Sequence, residues 1–231
     1  MLKSRIISSI FLTSLLSTKI IALEAPAYVG FDVQNCHIHF DTNFGGNLLK
    51  RDMQGANPFF GVKLNEVFSV EFGYQHISST KTTTLPAGSY AAGTYVHIVI
   101  SPITLKSTAT FKSTNVNLIA STRVFSFLPV QFFGGLGISH TTAIFTRRTM
   151  QYDGVIGTVK RRMGISHSIP CLTVGANYFL TKNFSFRGSL IGMRTKKLHA
   201  FANDGHDPAI FWPEIRTRNS ICYSLGIRWN F

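Results

Sequence analysis

Six charged residues occupy the polar positions of strongly alternating segments, and they are the first candidates for chemistry in this chain. They are Asp32, Lys63, Glu71, Arg123, Arg187 and Arg228. The positions on either side of them are mostly large and apolar, which predicts strands with one apolar and one polar face. Two acids and four bases facing one narrow interior must pair, because an unpaired buried charge is costly. The pattern predicts a polar plug that holds a wall together, and a gated pore is the functional alternative.

A second set of charges is entirely basic and falls between residues 141 and 168. It consists of Arg147, Arg148, Lys160, Arg161 and Arg162, opposed only by Asp153. The planar fork of arginine matches the oxygens of phosphate and sulfate groups. The set therefore predicts a loop that binds lipid phosphates or a sulfated polysaccharide. The alternative is a solvated loop whose charges only lie beside an anionic surface, and nothing in the chain resembles a nucleic-acid-binding module.

Cysteines and histidines offer less chemistry. Cys36, Cys171 and Cys222 all fall on polar-face positions, so Cys36 and Cys222 could form a disulfide between the first and last strands, or all three could be buried thiols. His37 with His39, and Asp204 with His206 and Asp207, lack a recognised ligand spacing. We therefore expect no metal site, no catalytic residues and no cofactor.

The elements that position these residues are eight short strands with period-two alternation. They cover 28–37, 58–65, 68–77, 114–125, 130–140, 169–180, 184–194 and 221–231. Strands of about 9–11 residues are long enough to cross a bilayer. Short links near residues 66, 128 and 182 alternate with long ones over 38–57, 78–113, 141–168 and 195–217. This predicts an all-β fold, an eight-stranded antiparallel up-and-down transmembrane barrel; the apolar segment 95–105 leaves ten strands possible.

The N-terminus and the composition agree with that architecture. Lys3 and Arg5 precede an apolar run from Ile6 to Leu16, which predicts a signal peptide over 1–22 and a barrel domain over 23–231. Charged residues are only 14% of the 231 residues and aromatic residues are 13%. A water-soluble domain usually carries about 25% charge. The net charge of +13 points to an anionic neighbour.

Several segments now carry a resemblance to a family. They are 58–63, 72–74, 133–137, 177–187 and the C-terminal Leu225-Gly226-Ile227-Arg228-Trp229-Asn230-Phe231. In order and spacing they resemble the OmpA-like and opacity-type outer-membrane β-barrels of Gram-negative bacteria. The resemblance covers the whole mature chain but includes no periplasmic peptidoglycan-binding domain, and the loops are longer than in the smallest family members.

The resemblance implies a location and a set of partners. Tyr223, Trp229 and Phe231 match the C-terminal signal that the barrel-insertion machinery reads. The expected partners are outer-membrane lipids, lipopolysaccharide and a host glycan or protein, with the long loops outside the cell. The expected function is that of a structural surface antigen or adhesin and not an enzyme. The alternatives are a small-solute channel and, third, a lipid-modifying outer-membrane enzyme.

Overall fold

Ten antiparallel strands form the described part of the chain. A computed structural model describes residues 27–42, 49–92, 95–125, 128–151, 159–194 and 215–231. The strands are β1 (Ala27–Thr42), β2 (Asp52–Lys63), β3 (Phe68–Leu85), β4 (Gly88–Ala92), β5 (Tyr95–Val99), β6 (Ile103–Ser121), β7 (Val130–Gln151), β8 (Val159–Phe179), β9 (Phe184–Met193) and β10 (Ile215–Asn230). Within these residues there is no helix long and apolar enough to cross a membrane.

Eight of these strands close into a barrel. The order around the wall is β1-β10-β9-β8-β7-β6-β3-β2, and β1 also pairs with β2 to complete the circle. The fold class predicted from the sequence is therefore confirmed. The remaining pair, β4 and β5, forms a separate two-stranded sheet. The apolar segment near residue 95 thus belongs to an additional hairpin, but that hairpin is not inserted into the wall.

The two ends of the barrel have different connections. The short-turn end carries the links 64–67, 122–129 and 180–183, together with the start of β1 and the end of β10. Side-chain oxygens stabilise two of these turns, because the Val67 and Phe68 amides donate to Asn65 Oδ1 and the Phe184 amide donates to Thr181 Oγ1. The opposite, long-link end carries the links 43–51, 86–102, 152–158 and 194–214.

Four neighbouring strands are much longer than a membrane requires. β3, β6, β7 and β8 have 18, 19, 22 and 21 residues, about twice the 9–11 residues of a membrane-crossing strand. The predicted limits of these strands at 77, 114, 140 and 169 were wrong at the long-link end. Much of what the sequence suggested as the links 78–113 and 141–168 is a continuation of the sheet. We call the parts of these four strands beyond residues 74, 114, 140 and 168 the extension.

The extension shows a change of pattern that β6 illustrates best. Near the short-turn end, Val116 and Leu118 are exposed on the outside, while Asn117 is buried inside the barrel. In the extension, odd-numbered residues of β6 still point inward and even-numbered residues still point outward. Here, however, the inward residues Leu105 and Phe111 are apolar and buried, and the outward residues between them are threonine and lysine. The hydrophobic side therefore switches from the outer face to the inner face within one strand.

The same switch occurs at the same height in the neighbouring strands. Cross-strand register aligns Tyr74, Thr114, His140 and Ser168 in one row. On the short-turn side of this row the outer face is apolar, as lipid requires; on the other side it is polar, as water requires. In β7, Leu136 is exposed below the row, whereas Phe145 is buried above it. The row therefore marks the upper limit of the apolar belt.

Candidate functional site

A buried ion pair lies at the centre of the barrel lumen. Arg187 donates from Nη1 to Glu71 Oε2 at 2.7 Å and from Nη2 to Glu71 Oε1 at 3.0 Å. β3 and β9 present these side chains from separate parts of the wall, and both are buried. The bidentate geometry satisfies both carboxylate oxygens with charge-assisted hydrogen bonds. The pair links two strands that are not neighbours and thereby braces the wall across the lumen.

Aromatic rings and a second carboxylate complete the surroundings of this guanidinium. Arg187 Cζ lies 4.4 Å from the ring centroid of Phe59 and 4.5 Å from that of Phe133. Asp32 Oδ2 lies 3.9 Å from Arg187 Nε. The two rings hold the guanidinium plane while the two carboxylates neutralise its charge. These contacts make Arg187 the centre of the predicted charge network.

Tyr28 connects the second arginine to this centre. Its hydroxyl donates to Glu71 Oε2 at 3.2 Å and lies 3.1 Å from Ser69 Oγ. Arg228 Cζ lies 3.7 Å from the centroid of the Tyr28 ring, and its Nε donates to Asn230 Oδ1 at 3.0 Å. The Arg228 charge is thus stabilised by a ring face and an amide oxygen instead of a carboxylate.

The structure brings together four of the six charged residues predicted to face the lumen, namely Asp32, Glu71, Arg187 and Arg228. Lys63 is half-buried at the short-turn mouth, where it lines a groove with Lys182 and Asn230. The prediction for Arg123 was wrong. β6 ends at Ser121, so Arg123 lies in the following turn and is exposed, pairing with Glu66 at 3.2 Å.

Gly61 on β2 is the register partner of Tyr28 on β1, and the Tyr28 ring lies against the Gly61 backbone. A Cβ atom added to Gly61 would overlap the Tyr28 ring and its hydroxyl. The lumen is narrow, so a bulky inward side chain on one strand needs a neighbour without a side chain. Gly61 therefore makes room for the Tyr28 side chain. The same glycine fixes the position from which Tyr28 reaches Glu71.

Above the charged centre, the lumen is apolar. The buried members of this layer are Cys36, Ile38, Leu49, Met53, Ile77, Ala109, Phe111, Ala143, Phe145, Ile169, Cys171, Met193 and Cys222. The Phe111 and Phe145 rings pack edge to face at a centroid distance of 6.0 Å. This layer is a packed hydrophobic core of the kind that soluble proteins have, placed inside the long-link half of the barrel.

A disulfide joins the first and last strands at the boundary between the two layers. Cys36 is the register partner of Cys222 on β1 and β10, and the two sulfur atoms are bonded. The Gln75 amide lies below them, 3.8 Å from one sulfur and 3.7 Å from the other, and donates to Gln34 Oε1 at 2.6 Å. Of the two possibilities that the sequence left open, the structure has the bridge. Cys171 is buried with a free thiol.

Two cavities inside the described barrel are small. One cavity of about 10 Å³ adjoins Asp32, Asn57, Glu71 and Arg187, and another of about 10 Å³ adjoins Phe111. A cavity must be about this size to hold a single water molecule. The interior therefore has the form of two stacked plugs, one polar and one apolar.

The five basic residues predicted on one loop lie instead on β7 and β8. Arg147 pairs with Arg161, Arg148 with Lys160, and Thr146 with Arg162. The prediction of a loop was wrong because both strands continue far past residues 140 and 169. Alternation divides the five residues between two faces of the sheet. Arg148, Lys160 and Arg162 occupy outer-face positions, and Arg147 and Arg161 occupy inner-face positions.

The outer-face positions continue into β6. Lys106 is the register partner of Arg148, so Lys106, Arg148 and Lys160 form one row across three strands. We call Lys106, Arg148 and Lys160 the basic row. Arg162 lies beside the row, two residues along β8 from Lys160 at the next outer-face position. Lys106 is exposed and was not among the predicted site residues. Its spacing from Arg148 in the chain gave no signal, because only the strand register brings the two together.

The predicted insertion signal lies on the outer wall of β10, with Trp229 and Phe231 at the short-turn end and Tyr223 in the middle of the strand. Tyr223, Trp229 and Phe231 are all exposed. The Trp229 and Phe184 ring centroids are 6.0 Å apart, and Phe184 in turn contacts Phe186. Such clusters form the aromatic girdle at a membrane interface. The structure thus places these residues where lipid contact is expected.

The histidine pair His37 and His39 lies on β1. His37 Nδ1 lies 2.8 Å from Asp52 Oδ1, and the His37 and His39 rings are 5.4 Å apart. Across the described ranges, no group of three or more potential protein ligands could hold a metal ion. The segment with Asp204, His206 and Asp207 lies outside the described residues.

Comparison with solved structures identifies the class of fold. The barrel is similar to OprG from Pseudomonas aeruginosa (TM-score 0.52, 11% identity, 90% of this chain and 96% of that chain). It is also similar to the Neisserial surface protein NspA (TM-score 0.51, 13% identity, 89% and 97%) and to Ail of Yersinia pestis (TM-score 0.49, 11% identity, 90% and 99%). No protein-family model and no curated protein sequence matches the chain. The protein has the eight-stranded fold of the bacterial outer-membrane β-barrels.

Proposed function

We propose that the protein is a surface-exposed attachment protein of the bacterial outer membrane, of the OmpA-like or opacity type, with its long-link end outside the cell. In this proposal the extension binds partners that carry phosphate or sulfate groups. The main observation that supports this proposal is the basic row on the outer face of the extension. The barrel itself anchors this surface in the membrane.

The like charges of the basic row repel each other and destabilise the sheet unless an anion lies between them. Neighbouring strands lie about 4.7–4.9 Å apart, so the three backbones that carry Lys106, Arg148 and Lys160 lie within roughly 10 Å. Like charges placed directly opposite each other destabilise a sheet. A polyanion with closely spaced phosphate or sulfate groups removes this repulsion and matches the donors of arginine and lysine. The row is therefore better suited to a binding surface than to a purely structural one.

The distance from the apolar belt favours a partner outside the cell. Lys106 lies eight residues along β6 from Thr114, where the apolar belt ends. At about 3.3 Å per residue this is roughly 26 Å along the strand. The headgroup layer of a bilayer is only about 5–8 Å thick on each side. Even on a tilted strand, the row therefore stands beyond the lipid phosphates of the same membrane.

The packed lumen supports an attachment protein over the two alternatives. A small-solute channel requires a continuous passage, whereas the cavities beside the charged centre and beside Phe111 are each about 10 Å³ and the side chains of Glu71, Arg187 and Phe111 are buried. A lipid-modifying enzyme requires a cleft that admits substrate beside its charged residues. Here the Glu71–Arg187 pair is buried and its hydrogen bonds are used within the wall. We therefore propose that the protein is not an enzyme.

Binding of intact cells to heparin-coated and host-cell surfaces tests the proposal. One variant replaces Lys106, Arg148, Lys160 and Arg162 with serine, and the matched control replaces only the inner-face residues Arg147 and Arg161. We expect wild-type binding to fall as salt increases, the outer-face variant to lose it, and the control to retain most of it. Surface level is equalised by whole-cell antibody staining. Absence of wild-type binding, or equal binding by the outer-face variant, would contradict the proposal.

A further inference from the structure

A groove of about 600 Å³ lies at the short-turn mouth of the barrel. The polar side chains that line it are Lys63, Gln131, Lys182, Asn183 and Asn230. Small-molecule sites have volumes of roughly 300–1,000 Å³ and combine a few polar groups with apolar walls. The buried ion pair braces the wall deeper in the lumen, so bracing does not explain two lysines at the mouth.

Apolar side chains complete the walls of this groove. Val124, Leu180 and Phe231 line it, and all three are exposed. The Phe184 and Trp229 rings of the aromatic girdle are direct chain neighbours of two lining residues. The groove therefore lies beside the membrane interface, which such girdles mark. Exposed apolar surface next to polar groups suits a molecule with a polar head and an apolar tail.

The charges at this end of the barrel favour an anion. Lys63 and Lys182 line the groove, and the charge of the buried Arg228 repels that of Lys63. Glu66 is the only acidic residue in the three short links, and it is paired with Arg123. A cleft lined by charges of one sign attracts ligands of the opposite sign. A negatively charged group in the groove would offset the repulsion between its cations.

Hydrogen bonds hold the groove in shape. The Asn230 amide donates to the Asn183 carbonyl at 2.7 Å, and the Phe179 amide donates to the Pro129 carbonyl at 2.8 Å. Arg228 Nε donates to Asn230 Oδ1 at 3.0 Å, which fixes that side chain at the groove wall. The walls are therefore ordered before any ligand arrives. A preformed site loses little conformational entropy on binding.

We propose that this groove binds one anionic amphiphile, a molecule with a phosphate group and an apolar chain. The phosphate contacts Lys63 and Lys182, since lysine binds phosphate as a point charge, and the apolar chain lies along Val124, Leu180 and Phe231. A phospholipid of the adjoining leaflet and a soluble lipid phosphate share this chemistry. The site lies at the end of the barrel opposite the basic row, so the inference goes beyond the proposed function and does not depend on it.

Calorimetric titration of the protein in phosphatidylcholine nanodiscs tests this inference. The probe is dihexanoyl-phosphatidylglycerol. Dihexanoyl-phosphatidylcholine has the same acyl chains without the net charge, and inorganic phosphate has the charge without the acyl chains. We expect saturable binding of the phosphatidylglycerol probe and much weaker binding of the other two. Lys63→Gln/Lys182→Gln should raise the Kd of the probe at least about tenfold, because each nearby cation strengthens binding of an anionic headgroup.

The matched control is Lys50→Gln/Arg123→Gln. It removes the same number of positive charges from two exposed residues, one at each end of the barrel, and neither residue lines the groove. Because it also leaves Glu66 unpaired at the short-turn end, a general electrostatic effect would weaken probe binding in the control at least as much. The control should bind the probe as wild type does. Far-UV circular dichroism checks that every variant is folded.

Four results would overturn the inference. They are an absence of saturable probe binding, an equal loss of binding in the control and the groove variant, equal Kd values for the two dihexanoyl lipids, and an inorganic phosphate Kd as low as that of the probe. The last would show a site for the free anion alone.

Native mass spectrometry distinguishes the two sources of the ligand. The protein is released from nanodiscs that contain long-chain phosphatidylcholine and phosphatidylglycerol. Retention of a phosphatidylglycerol molecule by wild type but not by Lys63→Gln/Lys182→Gln would support the site and assign it to a membrane lipid. Binding of the soluble probe without such retention would support the site and assign it to a soluble amphiphile.

Discussion

Arg187 shows how a single residue can hold a barrel together from inside. Its guanidinium is enclosed by the Phe59 and Phe133 rings and bonded to both oxygens of Glu71. Inside a lumen without room for bulk water, the charge has no alternative source of solvation. Removing one partner of the pair therefore leaves an unpaired buried charge and lowers the free energy of unfolding strongly. Compared with an apolar core of the same volume, the intact pair adds little stability.

At this scale we expect Glu71→Ala to lower the free energy of unfolding by about 3–5 kcal/mol, because it leaves Arg187 buried with only Asp32 nearby. Urea unfolding of the barrel in lipid vesicles, followed by circular dichroism, measures the change. The control is Arg123→Ala, which breaks the exposed pair with Glu66 and should change the free energy by less than about 1 kcal/mol. Equal effects of the two substitutions would contradict the bracing role of the buried pair.

At the scale of elements, β6 explains both the success and the failure of sequence reasoning. Over residues 114–121 the apolar residues Val116 and Leu118 face outward, which is the pattern expected of a membrane strand, and the strand was predicted. Over residues 103–111 the apolar positions Ile103, Leu105 and Phe111 face inward. Alternation alone does not show which face is the inner one, so this half was interpreted as part of a link. The reversal of phase within one strand is the signal that could have identified the extension.

The lumen was predicted better than the basic surface for a related reason. Inward positions such as Asp32 and Glu71 follow directly from period-two alternation next to exposed apolar residues. The basic row depends on register between strands, which a single sequence does not specify. Arg148 and Lys106 are far apart in the chain and meet only because β6 and β7 pair along their full length.

The seam between β1 and β10 leads to a second prediction. Cys36 and Cys222 close a loop of most of the chain, with a sequence separation of 186. In the chain-entropy account, a cross-link across so long a loop stabilises the fold by about 2–5 kcal/mol. A thiol assay on denatured protein without reductant should therefore find one free thiol, that of Cys171, and three after reduction. Three free thiols without reductant would exclude the bridge.

The same seam allows a test of stability. Cys36→Ser/Cys222→Ser should lower the urea midpoint of unfolding, because the unfolded chain is no longer constrained. Cys171→Ser is the matched control, since its thiol is buried on β8 and unbridged. A double serine variant as stable as wild type in non-reducing conditions would contradict a stabilising role for the bridge.

At the scale of the whole molecule, the interior is divided into a polar half and an apolar half, and both are filled. This predicts no stable ion conductance when the purified protein is inserted into planar lipid bilayers. The cavities beside the Glu71–Arg187 pair and beside Phe111 are each about 10 Å³, the size that holds a single water molecule. Steady single-channel currents from folded wild-type protein would contradict the packed lumen and favour the channel alternative.

The whole molecule also combines two environments in one wall, with a lipid-facing barrel below the row of Tyr74, Thr114, His140 and Ser168 and a water-facing sheet above it. The proposed attachment function depends on that division and on its direction. The basic row can meet an external partner only if the extension stands outside the cell.

The most direct test is therefore labelling of single cysteines in intact cells with a membrane-impermeant maleimide. The native cysteines contribute little background, because two are bridged and the third is buried. We predict that Thr82→Cys in the extension is labelled in intact cells. Lys182→Cys at the short-turn end should be labelled only after the outer membrane is permeabilised. Leu118→Cys in the apolar belt should be labelled neither before nor after permeabilisation. Labelling of Lys182→Cys but not Thr82→Cys in intact cells would show the opposite orientation. Labelling of Leu118→Cys in intact cells would contradict the membrane-spanning barrel itself.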